Sequence, residues 1–576
     1  MGIPRLRRHL LPFAKETVLN GSAVVIDGPA FAYYVCQSCV RGTMGIPSTA
    51  DLVKRMFELL GRLRECNVEI EAIYFDGLLP PDKITTRLKR HVTRWSCSAK
   101  FFNQYNTGCD LSIISFKTSK KEIFCPHSAA LRAPVPLHLI PALLEALLES
   151  ADYGSKTFVV PGEADSFCAA HAATGKNITV LSGDNDLIIH DLGPGGGTIF
   201  FIDLNFGMIT DTIRCLRFEP RTIEDRLRLP RKSLVRFAYE SLDMPDEDAY
   251  AIAKHVVSTP SAPPEYLEFA KQYKPVDLTS ANQYRGLCLG PPYLDPRLSE
   301  IVLQYLGIVA RPESQQRDET PLSFLTPSVE SQLEMSPWVP CTPLRQLAYS
   351  LLPIIRPGAV KSICEFRRLS QTTSKGTSVD LISTDELPQA FQSLANDLSR
   401  FGNLSSMKSL MAMTVRLEMQ HSVSMDREPH SFKLVRDVKS LLNLQHDIVS
   451  WAALHFKAQI EACINSLRMI QQMLVFARIN NIHVPEATAP LEKMLTKMDL
   501  LANLPSILQV LEFAWALENS SLLCSLCTEF GLDQPQRKLS KKQEKLARGK
   551  SKGSKDKTAQ PAVSLLGNTF ALLNTD

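Results

Sequence analysis

The spacing of apolar and polar residues changes character along the chain. Ala23-Val-Val-Ile26, Ala72-Ile-Tyr-Phe75, Thr157-Phe-Val-Val160 and Ile178-Thr-Val-Leu181 are short apolar runs rich in β-branched residues, and each predicts a buried strand. Between the last two, Ser166 to Thr174 reads as a helix stopped by Gly175. Pro29 suits the first turn of another helix, running from Ala30 to Val40. The clearest helical period is Leu52, Val53, Met56, Leu59, Leu60 and Leu63, behind the capping-box-like start Ser48-Thr-Ala-Asp51. Strands alternating with helices predict an α/β domain with a mostly parallel central sheet.

Beyond this the pattern loosens and then turns helical. From about 258 to 345, Pro and Ser predict irregular connections with short helices, and the Ser/Thr-rich stretch 363–384 reads as a linker or loop. Helical spacing returns from about 386 to 530, with Ile460, Cys463, Ile464, Leu467 and Ile470 on one face. Met469, Met473 and Met498 in that stretch read as core filler. The expected organisation is an α/β domain over 1–215 with an insert at about 97–133, and a helical and Pro-rich extension over 216–345. A linker region at 346–385, an α-helical domain at 386–530 and a basic tail at 531–576 follow.

Composition excludes some classes. A length of 576 residues predicts two to four domains, and a net charge of +4 makes no nucleic-acid case by itself. Fourteen cysteines scattered singly do not resemble a disulfide scaffold, and the Cys36/Cys39 and Cys524/Cys527 pairs lack the partner pairs a zinc site needs. Met1-Gly-Ile-Pro-Arg-Leu-Arg-Arg has no signal-peptide apolar core, and no apolar run is long enough to span a membrane. A soluble intracellular protein with reduced thiols and no membrane partner is expected. Charge is concentrated near the end, where Arg537 to Lys557 carries ten Lys or Arg against Glu544 and Asp556. Such a block suits nucleic-acid binding, nuclear import or plain solubility.

Candidate chemistry lies at the ends of the strands. All four hand over to acidic residues: Asp27, Asp76, Glu163 with Asp165, and Asp184 with Asp186. One reading makes each a helix N-cap. The other notes that parallel strands send their carboxyl ends to one edge, where ligands of open sheets bind. Two carboxylates about 4 Å apart repel by about 4 kcal/mol at an effective dielectric near 20, so six together call for cations. Hard oxygen donors suit Mg²⁺ or Mn²⁺, and two such ions about 4 Å apart form the usual clamp for phosphodiester attack. Just beyond Asp76, Lys83, Arg87, Arg90 and Arg94 fall on one helix face. That stripe reads as phosphate steering or as a solvated face, with its position beside Asp76 favouring the former.

Met1-Gly-Ile-Pro-Arg-Leu, Val24-Val-Ile-Asp27-Gly-Pro-Ala, Tyr74-Phe-Asp76-Gly, Pro161-Gly-Glu163-Ala-Asp165 and Ser182-Gly-Asp184-Asn-Asp186 occur in that order. Together they resemble the flap-endonuclease/XPG-type structure-specific nucleases, and within these the Asteroid-like branch. The resemblance covers about 1–215 and implies a PIN-like nuclease domain, followed here by a largely α-helical C-terminal region. It implies two Mg²⁺ (or Mn²⁺) ions per site, bound by Asp27, Asp76, Glu163, Asp165, Asp184 and Asp186. Lys83 and Arg90 match the family's residues on the scissile phosphate, with Arg87 and Arg94 beside them for nucleic acid. Gly2 matches its N-terminal glycine near the active site. The implied substrate is DNA with single-strand/duplex junctions, with RNA as an alternative, cut in the nucleus during DNA repair.

The sequence departs from that family at four places. Asp165 stands where Glu is usual. Residues 97–133 replace the arch, with Phe101, Phe102, Tyr105 and a Lys117, Lys120, Lys121 cluster. The seventh carboxylate falls to Asp243, with Asp246 second, and no duplex-gripping glycine hairpin follows. The apolar segment Leu565 to Leu573 suits a short docking motif but does not match the family's sliding-clamp motif. The rival class is a nuclease fold without catalysis, serving as a nucleic-acid or protein scaffold.

Overall fold

The computed structural model describes residues 2–39, 46–110, 134–206, 212–259, 261–276, 294–316, 319–368, 375–402, 406–436, 448–518 and 520–535, with 278, 404 and 442–443. The basic block from Arg537 to Lys557, the Leu565–Leu573 segment and Lys117, Lys120 and Lys121 lie outside these residues.

The strands are β1 (Lys15–Val18), β2 (Ala23–Asp27), β3 (Glu69–Asp76), β4 (Cys109–Asp110), β5 (Thr157–Val160), β6 (Thr179–Ser182), β7 (Gly197–Phe200), β8 (Asn205–Phe206) and β9 (Ile213–Phe218). Apart from β4 they form one eight-stranded sheet, ordered β1-β9-β7-β6-β2-β3-β5 with β8 on β9. The run from β7 to β5 is parallel throughout. Strand β9 pairs antiparallel with β1, β7 and β8. The apolar runs are continuous rather than alternating because both faces of these strands are covered, as in buried parallel sheets. Val24, Val25, Ile26, Ile73, Phe75, Val180 and Leu181 are all buried.

The chain leaves β2 toward β3 and β5 on one side and then returns to place β6 on the other. That makes the carboxyl end of β2 a topological switch point, where crevices open in such sheets. The local signals hold. The helix Gly28–Cys39 follows β2, and the helix Thr49–Glu65 opens with a full Ser48/Asp51 capping box. The helix Ala164–Thr174 joins β5 to β6.

The second half departs from the expected linker. Strands β10 (Leu322–Phe324), β11 (Ser362–Phe366) and β12 (Thr377–Asp380) build a three-stranded sheet, with the helix Thr342–Tyr349 between β10 and β11. Residues 346–385 therefore contribute packed strands rather than only a flexible connection, and Ile363 and Val379 are buried. The Ser/Thr richness misled because β11 carries an inward-facing carboxylate among its buried residues. Glu365 is fully enclosed and accepts from Arg345 Nε at 2.6 Å, Tyr349 Oη at 2.8 Å and Arg367 Nε at 2.8 Å.

The C-terminal region is largely helical, and its spine is the helix Trp451–Ile479. This region does not form a core of its own. One apolar cluster runs unbroken from Val24, Ile26 and Phe75 through Tyr305 and Trp338 to Leu467, Ile470 and Cys527. Polar contacts repeat the point: His138 Nε2 lies 3.2 Å from the Glu461 carbonyl, and the Gln472 side chain accepts from Asp295 N at 2.7 Å. Residues 97–104, expected as part of an insert, instead complete the helix Ile84–Gln104. Its end is fastened to the spine, with Trp451 Nε1 donating to the Tyr105 carbonyl at 2.5 Å and the Trp451 ring against Phe102. Strand β4 then joins β13 (Leu442–Asn443) and β14 (Ile448–Val449) in a small antiparallel sheet.

Cys36, Cys39 and Cys527 are free thiols and buried, and Cys524 is free and exposed. Among the described residues no helix is long and apolar enough to cross a membrane.

The Arg345–Glu365 pair gives a direct test of this packing. Burial alone would raise the Glu365 carboxyl, but Arg345, Arg367 and the Tyr349 hydroxyl outweigh it and hold the group down to about 2. A lowered carboxyl adds stability that is complete above the ordinary glutamate range and is lost as pH falls toward that value. Arg345→Met should cost about 3–5 kcal/mol in urea unfolding, because it leaves a buried charge. The double change Arg345→Met/Glu365→Leu should cost much less.

Candidate active site

Strands β5, β3, β2 and β6 are consecutive neighbours, all parallel, so their carboxyl ends share one edge. Adjacent strands lie about 4.8 Å apart, which sets the reach between side chains that follow them. Asp27 and Asp76 are the last residues of β2 and β3. Glu163 is the N-cap of the helix after β5, and Asp165 lies in its first turn. Asp184 is the N-cap of the short 3₁₀ turn after β6, which contains Asp186. The six carboxylates suspected from the sequence are therefore brought to one place.

The helix-cap reading also holds for several of them. Asp27 Oδ1 accepts from Ala30 N at 3.1 Å, and Asp76 Oδ1 from Ala164 N at 2.8 Å. Asp76 thus caps a helix that begins on the neighbouring strand. Asp186 Oδ1 accepts from Ile3 N at 2.7 Å, tying the N-terminal segment to the site. Each such bond orients a carboxylate through one oxygen while the other is left for further partners. Capping and a site role are compatible here.

Mutual repulsion is visible in the acidities. Burial first, and then the charges of Asp76 and Asp184, push the Asp27 carboxyl up to about 7, against the bonds from Ser182 and Ala30. Burial, then Glu163 and Glu300, push Asp76 up to about 6, opposed by Ala164 N–H and Arg297. Asp165 is raised well above its ordinary value by burial and by Asp27, Asp184, Asp76 and Glu163. Asp186 rises to about 6 through burial and Asp184. These carboxylates feel one another, and a cation among them would relieve the strain.

Lys83 is the cation the chain itself supplies. Its Nζ lies 2.7 and 2.6 Å from the two oxygens of Glu163. Burial disfavours its charge, but Glu163, Asp165 and Asp186 more than compensate and raise it above the ordinary lysine value. With Glu163 turned to Lys83 and Asp27 Oδ2 bonded to Ser182 Oγ at 2.5 Å, the donors do not meet at one point. Among the described residues, no group of three His, Cys, Asp or Glu is arranged to hold a metal ion. The donor chemistry nonetheless fits a hard divalent cation: clustered carboxylate oxygens, under-neutralised, beside a backbone with no side chain in the way. That last feature is Gly2. Its φ is +95°, and a Cβ there would lie 2.2 Å from Asp184 Oδ1 and 2.5 Å from Asp186 Oδ1.

The basic stripe divides on inspection. Arg87 bonds the buried Glu300 at 3.1 and 3.3 Å, and Arg94 donates to the Tyr33 hydroxyl and lies over its ring. Arg90 is exposed and has no ion-pair partner among the described residues. The one-face stripe is thus one site lysine, two arginines used within the protein and one arginine open to solvent. Asp243 ends the exposed end of the helix Leu234–Asp243, and Asp246 pairs with Arg5 at 2.6 Å. No described contact joins either to the six carboxylates.

Sequence reasoning missed the supporting residues. Ser182 bridges Asp27 and the Asp184 backbone N–H, Asn185 Nδ2 donates to the Ile3 carbonyl at 2.8 Å, and Tyr273 Oη donates to Asp186 at 3.4 Å. Arg297 and Glu300 come from the helix Pro296–Val309, with Arg297 Nη1 on Glu300 at 2.7 and 2.8 Å. Ser182 and Asn185 lay inside a quoted motif, but nothing local marked Tyr273, Arg297 or Glu300.

Two changes test the electrostatics without any assay of turnover. Asp27→Asn removes a charge the fold resists, so its melting temperature in chelator should exceed that of wild type by a few degrees, on the order of 2–4 °C per kcal/mol. Added Mn²⁺ should raise the melting temperature of wild type more than that of Asp27→Asn. Gly2→Ala should weaken the Mn²⁺-induced shift by crowding Asp184 and Asp186, and should also lower the melting temperature in chelator, because the added Cβ must displace those side chains at a positive φ.

A family model described as "XPG domain containing" matches residues 135–381. No curated protein matches the chain in sequence. Among solved structures, human GEN1 in complex with Holliday junction DNA is 18% identical with a TM-score of 0.30; the match covers 47% of this chain and 59% of that one. The catalytic core of Rad2 in complex with a DNA substrate is 14% identical with a TM-score of 0.28, covering 50% of this chain and 79% of that one. Scores this low describe a partial likeness and carry no weight for activity or substrate. The family match takes in Glu163, Asp165, Asp184 and Asp186 and reaches through β12.

Proposed function

We propose that this protein is a divalent-metal-dependent, structure-specific endonuclease of the XPG and flap-endonuclease type, in its Asteroid-like branch. Its substrate is flapped, branched or overhanging DNA. The observation that carries the reading is the gathering of Asp27, Asp76, Glu163, Asp165, Asp184 and Asp186 at the carboxyl edge of four neighbouring strands. A six-carboxylate site is costly for any fold, and phosphodiester hydrolysis through bound cations is the chemistry that repays it.

Asp27, Asp76 and Glu163 would hold one Mg²⁺ or Mn²⁺, and Asp165, Asp184 and Asp186 a second, following the order of their motifs along the chain. When bound, such ions would lower the pKa of the attacking water and stabilise the leaving oxygen. The protein's own groups do the positioning. The Ala30 and Ala164 amides fix Asp27 and Asp76, so neither must reorganise during the reaction. Asn185 and Asp186 grip residue 3 and so hold Gly2 against the site, where only a glycine leaves room. Lys83 neutralises Glu163 at rest and would exchange that ion pair for a hydrogen bond to a phosphate oxygen, with the solvent-facing Arg90 as a second phosphate contact. Action in the nucleus during DNA repair fits such a substrate, with the Arg537–Lys557 block as import signal or strand contact.

End-labelled flap, overhang, single-stranded and RNA substrates, each with Mg²⁺, Mn²⁺ or chelator, test this directly. Wild type should cut a junction substrate only with metal, and Asp184→Ala should lower the rate more than about 100-fold. Lys83→Ala should lower it by about 10²-fold, with the loss in turnover rather than in substrate affinity. Wild type that binds DNA yet leaves every substrate intact in the presence of metal would refute the proposal.

A further inference from the structure

One wall of the site belongs to no part of the α/β domain. Beside Asp76 a cavity of about 200 Å³ reaches between the helix Ile84–Gln104, residues 134–141, the start of the helix Pro296–Val309, the 323–327 segment and the spine helix. Protein interiors rarely leave so large a space unfilled. Its surface is chiefly apolar, with Val135, Ile140, Leu298, Phe324, Leu325 and Trp338 among its walls.

A few polar groups converge on it. Asp76 lies at the edge shared with the carboxylate cluster. Arg94 and Arg297 present guanidinium groups, and Arg94 has no carboxylate partner among the described residues. Glu300 receives both Arg87 and Arg297, so that trio leaves one positive charge in excess. On the far side, Asn465 from the spine helix donates to Met469 Sδ at 3.7 Å and has no other partner among the described residues. Sulfur is a weak acceptor, so nearly the whole hydrogen-bonding capacity of that amide faces the cavity unused.

We infer that this cavity seats the base of one unpaired nucleotide of the substrate strand, next to the phosphodiester to be cut. The apolar walls suit the faces of a heterocycle, and an amide is the side chain that reads a base edge through paired donor and acceptor. The phosphate then falls between Arg94, Arg297 and the Asp76 edge, where charge is complementary. The space is below the size of a drug-sized pocket, about right for a single base and too small for a stacked pair. An alkyl ligand would leave the Asn465 amide without a strong partner and the excess positive charge of the Arg87, Arg297 and Glu300 trio unanswered. The C-terminal helical region thus completes the substrate site rather than only bracing it. This rests on the nuclease reading, but the binding test below stands apart from turnover.

The full-length protein is titrated calorimetrically with AMP and with ribose 5-phosphate in Mg²⁺ buffer. The ratio of the two affinities cancels the contribution of the phosphate. Wild type should prefer AMP by about tenfold or more, the value of burying and stacking one base. Ile140→Trp, which fills the cavity, should bring the ratio close to one. Asn465→Ala, which cannot overpack and so guards against a misfolded Ile140→Trp, should reduce the ratio by about threefold or more. In cleavage assays, wild type should cut a junction with a natural unpaired nucleotide faster than the same junction with an abasic one, and Ile140→Trp should cut both alike. Equal affinities for AMP and ribose 5-phosphate, or a ratio unchanged in both variants, overturn the inference. A base-dependent ratio in a protein that cuts nothing leaves the seat standing and removes the hydrolysis instead.

Discussion

Repulsion among carboxylates at one sheet edge is the constraint around which the rest of the structure is arranged. Asp27 and Asp76 come close because β2 and β3 are hydrogen-bonded parallel neighbours, with Asp27 opposite Tyr74 and Asp76 two residues further along β3. The same adjacency prevents the charges from escaping one another. The fold answers with backbone amides at Ala30 and Ala164, with the Ser182 hydroxyl, and with two basic side chains, Lys83 and Arg297, brought in from outside the sheet. Amides at helix starts carry partial positive charge and suit this work. They soften the burial cost and the repulsion without cancelling them, so Asp27, Asp76, Asp165 and Asp186 all stay raised above the ordinary carboxylate range.

The helical C-terminal half is part of that answer. A helix at Pro296–Val309 delivers Arg297 and Glu300 behind Asp76, and the spine helix fixes its position through Gln472. Glu300 in turn takes Arg87 from the same helix whose start carries Lys83. One buried carboxylate therefore couples the orientation of the basic helix to the C-terminal region. The buried Arg345–Glu365 pair, which also touches Ser466 of the spine, anchors the small second sheet in the same way. The continuous apolar core makes these contacts stiff, since interiors packed this way transmit displacement rather than absorb it.

Conflicting local and site roles were resolved in an unexpected direction. Asp27, Asp76 and Asp184 each look like helix caps in sequence, and each does accept a backbone N–H near a helix or turn start. A carboxylate has two oxygens, so a cap on one fixes the direction of the other. The positive stripe went the other way. Periodicity placed Lys83, Arg87, Arg90 and Arg94 on one face, yet the burial of that face against Glu300 and Tyr33 occupies two of the four.

Local periodicity and chain punctuation were sufficient for the strands, the capped helix at Thr49–Glu65, the turn after β5 and the acidic residue types at each strand end, because these depend on neighbours a few residues apart. The mostly parallel sheet followed from the alternation of strand and helix. Which strands are neighbours, and hence which carboxylates meet, was decided by topology, since the order β5-β3-β2-β6 is not the order of the chain. Tyr273, Arg297, Glu300 and Asn465 were illegible for the same reason: each reaches the site or its cavity from a helix or turn far away in sequence, through packing that no local pattern encodes. The supposed linker at 346–385 failed because polar composition reports solvent exposure on average, whereas Glu365 is polar and buried, satisfied by partners that only the folded chain brings together.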